Sequence, residues 1–522
     1  MNVVYDVGSW RLTQDGRIYR RGKQRFANGD LYDGEWLEGV REGRGTFTYV
    51  SGAVYQGEFA QNLFHGFGSL RVPDTQHPLT KAWVKGSSYE GSFACGRKSG
   101  KGTLVHGDGS SYDGNFADDV FSGHGVLCYA NGDRYDGDWK HGQWWGRGHL
   151  LYRDGGSYDG DFHAGQFHGC GRRTWPHRLG SYVGEYRMGR QHGTGVRVFA
   201  DGSQFDGAWL DDRQHGSGVW TTDDFVYIGD FEAGKPHGNG LFRYENGDVY
   251  EGQVHSGFWY GRGKLCYKDG GYYDGDFAAV RVYRGVVNAA PNNKRHGKGR
   301  RVWSNGHSYD GEWSQDVMHG RGTLTSLVEG MKVEYVGAFS NGRQTGDGTI
   351  TLLKTTTGPL EFPLGSGNFH VGKGVSMYTG GFFNGAFHGQ GTFIFTDGRR
   401  YIGAWRHGKR SGKGEAHMIP TADCGDERRL YIRGKDALYR VAKYVGDFND
   451  DVREGHGTIF YSNGESVEGQ FVGGHVHGRA KYTFATKKTR WGTWQHGTRV
   501  AWDGPSNQDD EPSKLFGEVV SA

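Results

Sequence analysis

The sequence predicts an all-β fold, a long run of β-hairpins joined edge to edge in one antiparallel sheet. Three observations carry that prediction. A motif returns about every 23 residues, each motif alternates strictly between two kinds of side chain, and most copies close on Asn-Gly or Asp-Gly. Leu127–Phe162 shows all three: LCYANGDRYDGDW is followed by KHGQWWGRGHLLYRDGGSYDGDF.

A unit opens with Y-x-G-x-[WF], as at Tyr135, Gly137 and Trp139. A short polar link leads to G-x-G and an apolar–polar–apolar run, here Gly146, Gly148, Leu150 and Tyr152, and Asp154–Gly155 closes the unit before Tyr158 opens the next. The opening aromatics are Tyr32, Tyr55, Tyr89, Tyr112, Tyr135, Tyr158, Tyr182, Phe205, Tyr227, Tyr250, Tyr273, Tyr309, Tyr335, Tyr378, Tyr401 and Tyr444. Val467 takes the slot next, and a worn copy follows at Arg490, with Gly492 and Trp494 in place.

Period-2 alternation argues for strands, and the Asn-Gly or Asp-Gly pair between two of them argues for a hairpin. Tyr135, Gly137 and Trp139 share one face with Gly146, Gly148, Leu150 and Tyr152; Asp136, Asp138, Arg147 and His149 share the other. One face is therefore aromatic and glycine, the other charged. A two-residue turn at Asn131–Gly132 would set Leu127 opposite Asp136 and mix the faces. A loop of Ala130, Asn131 and Gly132, with the glycine left-handed, instead sets Leu127 opposite Tyr135, Gly125 opposite Gly137 and His124 opposite Asp138. The same rule pairs Arg44 with Glu58, Arg147 with Asp161, Arg262 with Asp276 and Lys298 with Glu312, so opposite charges recur as neighbours. Each exposed pair contributes about 0–1 kcal/mol. Glycine inside a strand costs entropy, so its recurrence points to a packing need: bare backbone under a large ring. A lone hairpin is marginal in water, and stacked neighbours are what bury the rings.

These residues closely resemble the MORN repeat family, whose pattern is Y-x-G-x-[FW], a short link, H-G-x-G-x-[FYL]-x-[FY] and N-G. The fullest copy is FHGQGTFIFTDGRRYIGAW, Phe387 to Trp405. The resemblance covers roughly residues 20 to 497 and about seventeen copies in phase. It implies an elongated, twisted, single-layer antiparallel sheet of tandem β-hairpin repeats, curved into a groove. With strands about 4.8 Å apart the array would be very roughly 150 Å long.

Composition narrows the function. Glycine makes up 95 of 522 residues, a bias that can signal disorder, but aromatics interleaved at fixed spacing argue against it. Net charge is only +3, so no strong field for a polyanion exists and nucleic acid is a poor partner. Five cysteines with no C-x-x-C fit a reducing cytosol. No apolar run approaches the ~20 residues of a membrane span, and the N-terminus does not read as a signal peptide. We expect residues 1–18 to be a lead-in that caps the first strand edge, 19–500 the array, and 501–522 a disordered acidic tail. Insertions fall near 73–85, 280–294, 351–376 and 415–443; the third reads as an extra hairpin and the last holds the one candidate short helix.

Candidate sites are few. His65, His168, His192, His215, His237, His296, His319, His388 and His477 fill one slot before a glycine. A metal or pH-sensing ladder is the sharper reading. Copies on every other strand lie about 10 Å apart, too far to share one zinc, so a turn residue holding the link by a hydrogen bond is preferred. Phe64, Phe121, Trp144, Phe167, Trp259 and Phe387 precede that slot on the ring face. Lateral packing explains them most simply; a partner-binding groove is the functional alternative, since a single-layer sheet has nothing to cover this face. Arg399, Arg400, Arg406, Lys409, Arg410, Lys487, Lys488 and Arg490 are candidate contacts for anionic lipid headgroups. No phosphate loop, H-E-x-x-H or G-x-S-x-G is present; Ser99-Gly100-Lys101-Gly102-Thr103 sits in an ordinary repeat slot. We therefore expect no enzyme, no cofactor and no bound metal.

The expectation is a non-catalytic scaffold that organises protein partners on a cytoskeletal or ciliary/flagellar structure in the cytoplasm. The resemblance adds self-association, as a homo-dimer or end to end. A membrane-surface adaptor binding anionic phospholipid is the alternative the family's name suggests. MORN arrays accompany lipid kinases in some proteins, but the largest non-repeat stretch here is far short of a kinase domain.

Overall fold

The structure is a computed structural model that describes residues 9–12, 14–76, 79–80, 82–278, 282–283, 286–287, 293–328, 331–352, 375–395, 397–418 and 441–504. Two units built alike divide the chain, Met1–Glu245 and Asn246–Ala522. In the first, antiparallel strands follow in chain order from Trp10–Leu12 to Lys235–Tyr244; in the second, from Val249–His255 to Thr498–Trp502. Neither unit closes into a barrel. Among the described residues there is no α-helix, and the one helical turn is a 3-10 turn at Pro176–Arg178. Two small hairpins leave the sheets at insertions: Thr75–Gln76 pairs with Trp83–Val84, and Val282–Tyr283 with Val286–Val287. The expected third-insertion hairpin and the candidate helix fall largely on residues 353–374 and 419–440, outside the described residues, as do residues 505–522 of the expected 501–522 tail; residues 501 and 502 instead complete the strand Thr498–Trp502.

The register follows the three-residue loop. Leu127 pairs with Tyr135, Gly125 with Gly137 and His124 with Asp138. Arg44 pairs with Glu58, Arg147 with Asp161, Arg262 with Asp276 and Lys298 with Glu312. Gly132 is left-handed at φ 95°, and the Tyr129 amide donates to Asp133 at 2.8 Å to close the loop. The charged pairs are another matter. Arg147 and Asp161 stand 3.9 Å apart, and Arg262 turns to Asp274 at 3.4 Å. Most fourth-position carboxylates cap backbone instead: Glu35 accepts the Arg44 amide at 3.0 Å and Asp276 the Lys298 amide at 2.9 Å.

Except in the Tyr273 unit, where an insertion separates Phe277 from Arg295, the link within a unit is a two-residue turn with both φ positive, at His141 (50°) and Gly142 (75°) in the central unit. Beyond it Trp139 pairs with Trp144, but Gly137 pairs with Gly148, so three residues oppose Asp138. This bulge turns on Gly146 at φ 60° and frees the amide that the carboxylate caps in sister units.

Both sheet edges are laced from repeat to repeat. On the loop edge, Asp133 accepts the Arg153 amide at 2.8 Å, as Asp30 does from Val50 and Asp248 from Lys268. On the turn edge, some units replace the turn glycine by aspartate: Asp212, at φ 66°, accepts the Gln191 amide of the preceding unit at 2.8 Å. Asp119, Asp316 and Asp451 do the same for Lys98, Arg295 and Arg410. Asp212→Ala keeps the strained φ and loses the bond, so we expect a cost of about 1–2 kcal/mol. Asp212→Gly loses the bond but relieves the backbone, so it is expected to fall within about 1 kcal/mol of wild type. Urea unfolding of the two variants checks this order.

The core is the ring face. Tyr135 is fully buried although the sheet has one layer, because its ring lies over Gly137 and Gly148. Its hydroxyl donates to the Asp138 carbonyl at 2.9 Å. Trp139 reaches the other way and donates its indole N–H to the Gly125 carbonyl of the preceding unit at 3.0 Å. Its ring stands edge-on to Tyr112 and Tyr135, with centroids 5.5 and 5.1 Å away. Edge-to-face pairs of this kind continue through the first unit from Tyr32–Trp36 to Tyr227–Phe231, and through the second from Tyr250–Phe277 to Tyr444–Phe471. Each such pair adds about 0.5–1.5 kcal/mol beyond area burial.

Candidate functional site

The six candidate groove aromatics lie on the ring face, each packed on the opening tyrosine of its own unit. Phe64, Phe121, Phe167 and Phe387 stack on Tyr55, Tyr112, Tyr158 and Tyr378 with centroids 3.8 Å apart. Trp144 and Trp259 stack on Tyr135 and Tyr250 at 5.0 and 4.6 Å. Phe167 and Phe387 are buried, and the other four are half-buried. Phe121, Trp144 and Phe167 belong to three consecutive units; the rest are separated by units with another residue in the slot.

Those other residues are what reading for aromatics missed. The slot is defined by pairing with the fifth residue of Y-x-G-x-[WF], and in several units a cation fills it. Trp36 pairs with Arg41, Phe93 with Lys98, Phe277 with Arg295, Trp405 with Arg410 and Phe448 with Arg453. The charge then sits over the same tyrosine the aromatic would cover: Arg41 over Tyr32 at 5.8 Å, Lys98 over Tyr89 at 5.5 Å, and Arg410 over Tyr401 at 5.7 Å. Cation–π attraction replaces ring stacking. Phase alone identifies the slot, since R-K-S-G and A-F-H-G share only its position.

The basic candidates scatter. Arg410 packs on Phe448 and pairs with Asp451 at 3.0 Å; Lys409 pairs with Asp450 at 3.2 Å, and Arg399 with Asp397 at 2.7 Å. Arg490 donates to the Gly504 carbonyl at 3.3 Å. Arg400, Arg406, Lys487 and Lys488 are exposed. Among the slot histidines, the carbonyls of His237 and His319 accept from Tyr227 and Tyr309 at 3.2 Å, and the His237 ring also lies 3.2 Å from the Glu232 carboxylate. Among the described residues, no group of three or more His, Cys, Asp or Glu could hold a metal ion. None of the helical segments there is long and apolar enough to cross a membrane.

The buried phenols give the face a pH signature. Desolvation pushes Tyr89, Tyr401 and Tyr444 up to about 12 from an ordinary 10.0, and Tyr32, Tyr135 and Tyr273 further still. The folded chain therefore holds these protons where the unfolded chain has lost them. That stability is complete below pH ~10 and drains away as pH rises through ~12. Tyrosinate absorbance and circular dichroism are expected to change together in that window. Ionisation at pH ~10 with the sheet intact would mean that the rings are not buried.

The segments of the chain that match the MORN repeat family are two between residues 32 and 74, four between 89 and 176, two between 182 and 224, one at 227–249, two between 292 and 326, two between 378 and 417, one at 444–466 and one at 468–489. Together they make up more than half of the chain. The chain belongs to the MORN repeat family. The units opening at Tyr250 and Tyr335 lie largely outside the matched segments, yet carry the same hairpin and the same glycine pair as the rest of the MORN array. Over 174 residues the chain is 31% identical to Alsin from Homo sapiens and to Alsin from Mus musculus. That match covers 31% of this chain and only 9% of Alsin's length. A solved structure of a catalytically inactive virginiamycin B lyase from Staphylococcus aureus with quinupristin aligns with 62% of this chain and 94% of its own, at 10% identity and a TM-score of 0.10, values that support no argument.

Proposed function

We propose that this MORN array is a non-catalytic scaffold whose ring-and-glycine face receives protein partners on a cytoskeletal or ciliary/flagellar structure, with copies of the chain self-associating. The observation that carries the reading is the slot beside the opening tyrosine, filled by a ring or a cation in most units and covered by no second layer among the described residues. Such a row offers apolar and cation–π contacts at regular spacing to a polypeptide laid across the strands. The family is generally built for binding rather than chemistry, which agrees with a non-catalytic role.

Anionic headgroups remain the competing ligand class, and three of the eight basic candidates already spend their charge on aspartates. Tagging the endogenous protein, extracting with detergent and imaging separates the two. Retention on the detergent-insoluble cytoskeleton supports the scaffold; complete release with the membranes overturns it.

A further inference from the structure

Two arginines in the first unit occupy a position that most repeats give to hydrocarbon. Opposite the opening tyrosines stand Leu104, Leu127 and Leu150, all buried. In the next two repeats the position holds Arg173, paired with Tyr158 and Tyr182, and Arg197, paired with Tyr182 and Phe205. One strand separates them, which sets their Cα atoms about 10 Å apart.

Their heads converge on one ring. Arg173 and Arg197 lie 5.2 and 4.2 Å from the Trp175 centroid, with Phe167 5.4 Å from the first and Phe199 5.0 Å from the second. Among the described residues neither forms an ion pair, and the Nε of each is buried without a hydrogen-bond partner. The contrast with Arg295 and Arg410, which are paired with Asp316 and Asp451, is direct. Asp212 acts on Arg197 electrostatically, but its carboxylate accepts the Gln191 amide.

Beside the pair, Tyr186 and Gln191 face each other across the hairpin at 4% and 3% exposure, a phenol and an amide where other repeats set Phe162 against Phe167 or Trp209 against Gln214. The Tyr186 hydroxyl and the Gln191 side-chain oxygen are both buried with no hydrogen bond inside 3.5 Å, and the Gln191 side chain reaches the phenol only as a longer, weaker contact. The Tyr186 ring packs 5.6 Å from Phe167, the ring that Arg173 also faces, and while burial raises the Tyr186 phenol the Arg173 charge opposes the rise. Two half-buried cations and a poorly satisfied hydroxyl gathered on one face form a costly arrangement that a bound anion would offset.

We propose that Arg173, Arg197 and Tyr186 anchor a carboxylate side chain from an acidic peptide segment of a protein partner. The proposal deepens the partner-binding reading of this face and rests on it. A guanidinium fork matches a carboxylate, and the Trp175 and Phe199 rings beside it offer apolar walls to the flanking residues of a peptide. The heads lie down among rings instead of projecting outward, so a side chain reaches them where a flat layer of lipid headgroups does not.

The probe is a fluorescent peptide of alternating glutamate and phenylalanine, with its glutamine twin, inorganic phosphate and phosphatidylserine vesicles as comparisons, all against the full chain. Wild type is expected to bind the glutamate peptide more weakly as salt rises, and the twin about tenfold less tightly. Arg173→Leu with Arg197→Leu restores the residue type of Leu127 and Leu150, so its melting temperature should not fall, while glutamate-peptide affinity drops roughly 10- to 100-fold. Tyr186→Phe is expected to weaken binding by about threefold. Absence of peptide binding by wild type, unchanged affinity in the double-leucine variant, or equal arginine-dependent binding of phosphate or vesicles would each overturn the site. The extraction experiment stays independent: wild-type retention without peptide binding removes the anion site and leaves the scaffold, whereas wild-type release removes the scaffold itself.

Discussion

Gly137→Ala is expected to destabilise the array by about 3 kcal/mol, the upper end of the overpacking range. Gly137 sits in ordinary extended backbone within a strand, where propensity alone would favour alanine. The packing decides otherwise. A Cβ there would lie 2.5 Å from the Gly148 Cα, 2.6 Å from the Tyr135 hydroxyl and 2.7 Å from the Arg147 carbonyl oxygen. Two of these atoms are backbone of the paired strand and cannot retreat without opening the ladder. The third is held by its bond to the Asp138 carbonyl and by the edge-on rings of Trp139 and Phe162. Gly165→Ala is the control: its φ is 77° and nothing lies within 4 Å of the added carbon, so it meets only the left-handed penalty of about 1–2 kcal/mol. Urea unfolding, with amide exchange to localise the change, checks the order. Equal costs at the two sites would show that backbone preference, rather than the ring seated on the glycines, fixes the recurring glycine.

The period, the faces and the hairpin register were legible because local spacing dictates them. A three-residue loop follows from keeping Leu127 and Tyr135 on one face, and the observed pairing agrees. The turn within each unit was harder. His141–Gly142 could be suspected of positive φ, but Asp118–Asp119 and Asp211–Asp212 adopt the same turn without glycine, because the second aspartate repays the strain with a bond to the neighbouring repeat. The charge pairs were legible as neighbours, and some close into contacts: His124 lies 3.7 Å from Asp138 and Arg147 3.9 Å from Asp161. Register places Arg44 beside Glu58, yet it does not show that Glu35, on the strand at the other side, caps the Arg44 amide, because that bond depends on the bulge within the unit. At the candidate site, Phe64 and Trp144 were legible as aromatics while Arg41 and Lys98, in the same slot, were not, because chemical type changes where position does not. Arg173 and Arg197 were hidden for the opposite reason. In GRRTW and GVRVF they look like ordinary alternation, and only pairing with Tyr182 shows that they face the rings.

Tyr135→Ala is expected to cost about 3–5 kcal/mol, as for other large buried aromatics. Tyr135 is fully buried in a sheet without a second layer, so what it covers, and what covers it, belongs to neighbouring strands. Its removal uncovers the Gly137–Gly148 pair, and no side chain on either residue can close over the gap. It also takes one partner from the Trp144 stack and from two edge-on contacts, with Trp139 in its own repeat and Phe162 in the next. Because each repeat is stabilised mainly by its neighbours, the damage should be local: faster amide exchange in Arg134–Lys140, Gln143–Leu151 and the adjoining Ser157–His163, with distant strands unchanged. Tyr135→Phe separates ring from hydroxyl. It loses only the bond to the Asp138 carbonyl, about 1 kcal/mol, and Phe205 shows that the slot accepts a phenyl ring, fully buried and edge-on to Trp209 and Phe231. A Tyr135→Ala chain with wild-type exchange in those three strands would mean that the ladder of rings does not couple the repeats. Exchange accelerated along the whole first unit would mean that the unit opens cooperatively, with the ladder transmitting the loss beyond nearest neighbours.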